Sequence, residues 1–360
     1  MTEHRDTAAS PYAELFRASV NAAHGEGASV IHIGPTREGV DIRFRVFGEM
    51  KEPWKRLSLE HKQSFLVAVK KETRLQIGVS GRPQDSRCNV SGLAIDLRVS
   101  LLPTLFGEKI VLRLLDTGRE FGIDSLGIPD KTLADLLNAL SFRNGVVLIS
   151  GPTGSGKTTT LYSLLGAIDR VRKNIVTLED PVEYTIGGIS QVKIDPKVTF
   201  SAALRAVLRQ DPDVILVGEI RDEETANLAF RAAATGHLVL STVHANGAAE
   251  VTQRLLNLGI DKDTLRDNLR FSAAQRLVPK LCPLCAVNVE GSYRQKNEVG
   301  CQACTGGVVG RLPVIEYLTR ERIVDYLDGR GGRAEPSLFE AAEQLAREGL
   351  IDMREVSSIG

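Results

Sequence analysis

The run Gly151-Pro152-Thr153-Gly154-Ser155-Gly156-Lys157-Thr158 constrains the architecture more than any other stretch of this chain. It satisfies GxxxxGK[ST] at every fixed position. Ahead of it lies a short apolar run, Val146–Ser150, and behind it a segment of helical composition, Thr159–Ile168. Strand, glycine-rich loop and helix together form a P-loop. The glycines let successive backbone N–H groups turn inward around phosphate oxygens, and the helix N-terminus adds its positive dipole end. Lys157 is placed to reach the β- and γ-phosphates and the Thr158 hydroxyl to hold Mg²⁺, with Thr159 completing the nucleotide-binding run. A nucleoside triphosphate with magnesium is the ligand these residues predict.

With 360 residues the chain has room for about two domains. Residues 1–117 read as a small α+β domain. Tyr12, Leu15, Phe16, Ser19 and Ala23 recur at helical spacing, and Val30–Ile33 and Val40–Val46 read as strands. Ser58 is placed to cap a helix running to about Glu72, and Ile95–Leu101 and Lys109–Leu115 follow as strands. Residues 116–120 read as a linker, which makes 118–360 the second domain. There Leu133, Leu136, Leu137 and Leu140 mark an amphipathic helix. Val146–Ser150, Ile175–Leu178, Val214–Val217 and Leu238–Val243 are apolar strands separated by helices, the pattern of an α/β fold with a mostly parallel sheet. Cysteines interrupt it over about 275–317, and the tail to Gly360 reads as helical.

Lysine plus arginine (45) equals aspartate plus glutamate (45), so the chain lacks the charge surplus expected of a nucleic-acid binder. No apolar run approaches the ~18 residues of a membrane span. The polar start Met1-Thr2-Glu3-His4-Arg5-Asp6 is not a secretory signal. Cytoplasmic residence is the expectation.

The ends of the downstream strands carry the chemistry. Asp213-Val214-Ile215-Leu216-Val217-Gly218-Glu219 is an apolar strand ending in an acid, with glycine at the usual metal-side aspartate position. Glu219 is therefore expected to act on Mg²⁺ through water, or to polarise the attacking water. Glu179, at the end of Ile175–Leu178, is a second candidate for water activation, because ligands of open α/β sheets bind at the carboxyl ends of the strands. His237 opens and His244 closes the Leu238–Val243 strand, and both are candidate γ-phosphate sensors. Cys282-Pro283-Leu284-Cys285 and Cys301-Gln302-Ala303-Cys304 have paired-knuckle spacing, four thiolates for one structural tetrahedral zinc. Cys88 stands alone.

Four segments, with the P-loop, resemble the type II secretion / type IV pilus assembly ATPase family. They are Ile175–Tyr184 (IVTLEDPVEY), Leu208–Asp222 (LRQDPDVILVGEIRD), Thr235–His244 (TGHLVLSTVH) and Ala274–Cys285 (AQRLVPKLCPLC), and the likeness extends over roughly residues 12–318. The resemblance implies a RecA-like core, a PAS-like N-terminal domain, a zinc-ribbon insert and a homohexamer. It also implies ATP-driven motion of an inner-membrane platform protein; membrane association only through partners is expected, and the neutral charge predicts no direct contact with nucleic acid. Arg87 and Arg98 stand where similar family members place phosphate-contacting arginines, and a guanidinium on the transferred phosphoryl group is worth about 10³–10⁵ in rate. The tetracysteine insert resembles the secretion and pilus-extension branch rather than the retraction motors.

Departures from the family pattern are local. The usual Ser-Asp-Ile-His-Ile-Glu-Pro is here Ser29-Val30-Ile31-His32-Ile33-Gly34-Pro35, with two acids lost. Ala245-Asn246-Gly247 follows His244 where Thr-Asn-Asp is common. The N-terminal helical extension on which many secretion ATPases dock has no room ahead of these residues, which implies different docking or a shortened chain. A RecA-type nucleic-acid translocase, a pilus retraction motor and an ATP-binding scaffold without turnover are the competing functions.

Overall fold

The computed structural model describes residues 10–90, 95–116, 122–289 and 293–359. Two compact units make up the chain, Met1–Arg119 and Glu120–Gly360. The first opens with α1 (Pro11–Gly25), which Ser10 caps by accepting a hydrogen bond from the Tyr12 amide, while Pro11 supplies a preset φ at the first helical position. The strands are β1 (Ala28–Pro35), β2 (Gly39–Val46), β3 (Glu49–Met50), β4 (Lys55–Ser58), β5 (Gln84–Asn89), β6 (Ile95–Thr104) and β7 (Gly107–Asp116), with α2 (Leu59–Glu72) between β4 and β5. They form one antiparallel sheet in the order β3-β2-β1-β7-β6-β5, with β4 also paired to β2. Its inner face sets Ile31, Ile42, Phe44, Leu97, Val99 and Leu112 against Phe16 and Val20 of α1 and Phe65 and Val69 of α2. The opposite face is polar, so the strands alternate in burial as a one-sided sheet requires.

The second unit begins with α3 (Asp130–Ser141), β8 (Gly145–Ser150) and α4 (Lys157–Ala167). It continues through β9 (Ile175–Glu179), β10 (Ser190–Lys193), α5 (Phe200–Val207), β11 (Val214–Val217), α6 (Glu223–Ala234), β12 (Leu238–Val243), α7 (Ala248–Asn257) and α8 (Lys262–Asn268). After these come β13 (Leu269–Leu281), the short pair β14 (Val287–Asn288) and β15 (Arg294–Gln295), then β16 (Val308–Thr319), α9 (Arg320–Leu327), α10 (Leu338–Arg347) and α11 (Met353–Ser357). The main sheet runs β10-β9-β11-β12-β8-β13-β16, parallel throughout except for β16. Helices cover both faces. Val146, Leu148, Ile215 and Val217 face α5 to α9, while Val147, Ile149, Val214 and Leu216 face α3 and α4.

Two differences from the sequence reading have physical causes. In α3, Leu136 is buried with Thr132 and Ala139, while Leu137 is 36% exposed, so the buried stripe is rotated from the one the leucines suggest. Within the cysteine-bearing stretch, residues 275–281 and 308–317 are strand, the far halves of β13 and β16, a ladder that continues beyond the sheet and carries the cysteines at its tip. Prolines 279 and 313 hide these strands in the sequence. Pro279 is accommodated because β13 has left its parallel partner β8 after Ala274, so no ladder bond on that side needs its missing N–H. The linker expected over 116–120 lies, beyond Asp116, outside the described residues.

Candidate nucleotide site

The carboxyl ends of β8, β11 and β12 deliver the site to one edge of the sheet, where ligands of such folds bind. β8 stops at Ser150 and α4 starts at Lys157, and Gly151–Gly156 turn between them. Two of these glycines are required by close approach as well as by positive φ. A Cβ on Gly151 (φ 140°) would stand 2.4 Å from the Gln275 carbonyl oxygen, and one on Gly156 (φ 85°) 2.9 Å from Gln275 Nε2. The Lys157 ammonium donates to the carbonyls of Gly151 at 2.8 Å and Pro152 at 2.9 Å, so it is held over the loop. Burial pushes its pKa down; the Glu219 charge opposes that shift and Arg276 adds to it. Ser155 Oγ is buried with no hydrogen-bond partner among the described residues, a donor in the loop left available to a phosphate oxygen. Glycine-lined backbone, a helix N-terminus, an ammonium and an orphaned hydroxyl fit a triphosphate.

Glu219 lies beside this loop. Its Oε2 accepts from Arg221 Nε at 2.6 Å. His244 Nε2 stands 2.8 Å from Oε1 but without hydrogen-bond alignment, which leaves that buried oxygen without a hydrogen-bond partner among the described residues. The glycine before it also has a steric reason. A Cβ at Gly218 would be 3.0 Å from the Leu178 carbonyl, so the side chain usually found there has little room. Thr242 Oγ1 donates to Gly218 O at 2.8 Å and Ser241 Oγ to Val217 O at 2.6 Å, so β12 fixes the turn that presents Glu219. His244, with Gly151, Pro152 and Asn246, lines a cleft of about 440 Å³ against α7.

Glu179 is buried and differently placed. Its carboxylate accepts from the Tyr162 hydroxyl, from Thr177 Oγ1, and from Gln191 Nε2 at 3.2 Å. Burial and this bond to Glu179 hold the Tyr162 phenol well above its usual pKa.

His237 is not brought to the site. Its carbonyl accepts from Gly145 N, at the start of β8, whereas the P-loop follows Ser150, which pairs with Val243 at the other end. A strand rises about 3.3 Å per residue, so His237 and His244 lie roughly 20 Å apart along β12. Bracketing a strand is thus the opposite of converging, and His237 Nδ1 instead meets the Ala232 carbonyl at 2.8 Å. Of the two histidines expected at the γ-phosphate, the structure brings only His244 to the P-loop end of β12.

Arg87 and Arg98 belong to the first unit, as directly paired residues of β5 and β6, and Arg113 of β7 is the next in the same row. Arg87 donates to Asp96 at 3.1 Å, whereas Arg98 and Arg113 make no ion pair with a described residue. Glu316, on β16, had no signal in the sequence. Its Oε1 accepts from the Ala248 amide at 2.6 Å and its Oε2 from the Leu338 amide at 3.1 Å, so one carboxylate satisfies the N-termini of both α7 and α10.

The four cysteines come together at the tip of the β13–β16 ladder, all Sγ atoms within 4.8 Å of one another. Neighbouring sulfurs are 3.8, 3.6 and 3.7 Å apart. Disulfide bonds would need about 2.05 Å, whereas metal–sulfur bonds of about 2.3 Å in a tetrahedron set edges near 3.8 Å. Burial works against ionising Cys304, but donors led by the Cys301 amide, at 3.1 Å, bring its thiol down to about 7. This cluster fits a metal ion.

Residues 5–357 match the family described as Type II/IV secretion system protein. The chain belongs to this family. Over 355 residues it is 41% identical to the Type II secretion system protein HxcR of Pseudomonas aeruginosa, covering 96% of this chain and 73% of that protein. The Type IV pilus assembly ATPase PilB of the same organism is 39% identical over 91% of this chain, which spans 61% of PilB. Among solved structures, that of the pilus retraction motor PilT with bound ADP superposes with a TM-score of 0.69 at 27% identity, covering 97% of this chain and 96% of PilT. The second unit is accordingly a RecA-like P-loop core, and the protein is an ATPase of the secretion and pilus-assembly family. No helix among the described residues is long and apolar enough to cross a membrane.

Proposed function

We propose that this ATPase works as a homohexamer at the cytoplasmic face of the inner membrane, where hydrolysis moves a platform protein of a type II secretion or type IV pilus assembly machine. The observation that carries the reading is the convergence of Lys157, Glu219 and His244 at one sheet edge, in a chain about 40% identical to secretion and pilus-assembly ATPases. Mg·ATP, when bound, supplies the scissile phosphoanhydride and a charge-neutralising metal. Residues 151–159 hold the phosphates, with Lys157 on the β- and γ-oxygens and the Thr158 hydroxyl toward magnesium. One Glu219 carboxylate oxygen has no hydrogen-bond partner among the described residues, and we assign it to polarising water at the γ-phosphate. His244, 2.8 Å from it, senses whether the γ-phosphate is there. Glu179, occupied by three donors, supports the same edge from beneath.

The second reading, a motor that retracts pili, draws on the PilT likeness, but the relatives of higher identity are secretion and assembly proteins. A phosphate-release assay tests turnover directly, and stimulation of that release by DNA would point instead to a nucleic-acid translocase.

Arg98 carries a guanidinium with no ion pair among the described residues, and we assign it to nucleotide held within the ring. Arg98→Ala is expected to keep ATP binding and lose turnover. Mixed into wild-type protein, it should depress activity beyond simple dilution. Strictly proportional loss on mixing would exclude a coupled ring.

Zinc is the metal proposed for Cys282, Cys285, Cys301 and Cys304, because four thiolates with no open position make a structural site. Metal analysis of freshly purified, unchelated protein is expected to find about one zinc per chain, and its removal to unfold the tip locally. A content well below that would count against the assignment.

A further inference from the structure

Strand β13 carries the Gln275 side chain into the interior beneath the P-loop, where it is 1% exposed. A buried amide is tolerated when its donors and acceptors are matched, and both ends of this one are spent on the nucleotide loop and its helix. Oε1 accepts from Thr160 Oγ1 at 2.9 Å, and Nε2 donates to the Ser155 carbonyl at 2.6 Å. The main chain adds a third contact, since the Gln275 carbonyl oxygen fills the space a side chain at Gly151 would need. One residue thus touches the first glycine of the loop, the peptide before its last glycine, and the first turns of α4.

The peptide plane gives these contacts a direction. In a trans peptide the C=O and N–H point opposite ways. Pinning the Ser155 carbonyl down onto Gln275 therefore aims the Gly156 N–H the other way, into the phosphate cradle. The Ser155 carbonyl can only accept, so it fixes which end of the amide is NH₂, and the Thr160 hydroxyl then donates to Oε1 and locks that orientation. We propose that Gln275 is a positioning residue that sets the P-loop backbone for nucleotide. This rests on the reading of residues 151–159 as the nucleotide site. Gln275 itself is too deeply buried to touch the ligand and acts through Ser155 and Gly156.

Two substitutions separate this role from mere packing. Gln275→Met keeps the volume and removes both bonds, which leaves the Ser155 carbonyl unpaired. Gln275→Glu is isosteric, but an ionised carboxylate faces the Ser155 carbonyl with an acceptor, whereas the protonated acid regains a donor. Burial raises the pKa of such an acid, so protonation falls within an accessible range. The experiment measures the Kd for Mg·ADP by calorimetry, and KM and kcat for ATP, on the whole protein. Melting temperature and metal content are followed alongside.

Gln275→Met is expected to raise Kd and KM about tenfold while kcat changes by less than about threefold. Thr160→Val, which leaves Oε1 without its donor, should shift Kd in the same direction by less. Gln275→Glu should bind ADP weakly at pH 8 and recover toward wild type at pH 6, read as the ratio to the wild-type Kd at each pH. If wild type itself fails to bind ADP, the nucleotide reading is wrong. If wild type binds and Gln275→Met binds within about twofold of it, the positioning role is overturned. Should Gln275→Met not fold, Gln275→Glu decides: a Kd as independent of pH as that of wild type overturns the proposal.

Discussion

Lys157→Ala is expected to abolish ATP turnover while leaving the protein folded. Among the described residues the ammonium bonds only the Gly151 and Pro152 carbonyls, both on its own loop, so no long-range contact among them is lost with it. What disappears is the positive charge aimed at oxygens that gain charge as the γ-phosphoryl group leaves. Removing one such preorganised donor typically costs about 10²–10³ in kcat. The loss should exceed that here, because the same charge also helps bind the ground state. Phosphate release and melting temperature, measured together, check the result. Turnover at the wild-type rate from a folded Lys157→Ala protein would sink the P-loop assignment.

The second large effect is expected from Glu219→Gln, which should lower kcat by about 10²–10⁴ with little change in nucleotide affinity. An amide at this position keeps the shape but cannot polarise water or face a metal as an anion. Glu179→Gln makes the informative contrast. There the carboxylate accepts from Tyr162, Thr177 and Gln191, and an amide would turn an N–H toward at least one donor. Its kcat should also fall, but the melting temperature should fall with it, whereas Glu219→Gln should melt as wild type does. Near-normal kcat in the Glu219→Gln protein would make that residue structural.

The parts of this site that were legible in the sequence are those whose chemistry is local. The glycines, Lys157 and Thr158 announce the loop because each is required there by backbone geometry or by phosphate, and the apolar run ending at Glu219 announces its own strand. What depends on tertiary placement was not legible. His237 and His244 look equivalent in sequence, yet a strand separates its ends, and only the pairing of Val243 with Ser150 puts His244 on the P-loop side. β5 reads Gln-Asp-Ser-Arg-Cys-Asn, with Cys88 alone fully buried, so an edge strand gave no alternating apolar signal. Gln275 stands beside Arg276 in a strand of mixed polarity with nothing local to mark it, and its significance lies in Thr160 and Ser155, more than a hundred positions away.

Glu316 also has a consequence for how the ATPase hears from its own C-terminal region. One oxygen holds the helix that follows the His244 loop, and the other holds α10, which packs with α11 on the strands that carry the cysteines. The carboxylate behaves like a shared hinge pin with two leaves. A partner that pulled α10 away would leave one oxygen unmatched and let Glu316 swing, and the turn from His244 to Ala248 would lose its anchor. Grip on the C-terminal helices would then loosen the turn that follows His244, at a carboxylate whose strand partner Ala274 pairs in turn with Ser150 at the mouth of the P-loop.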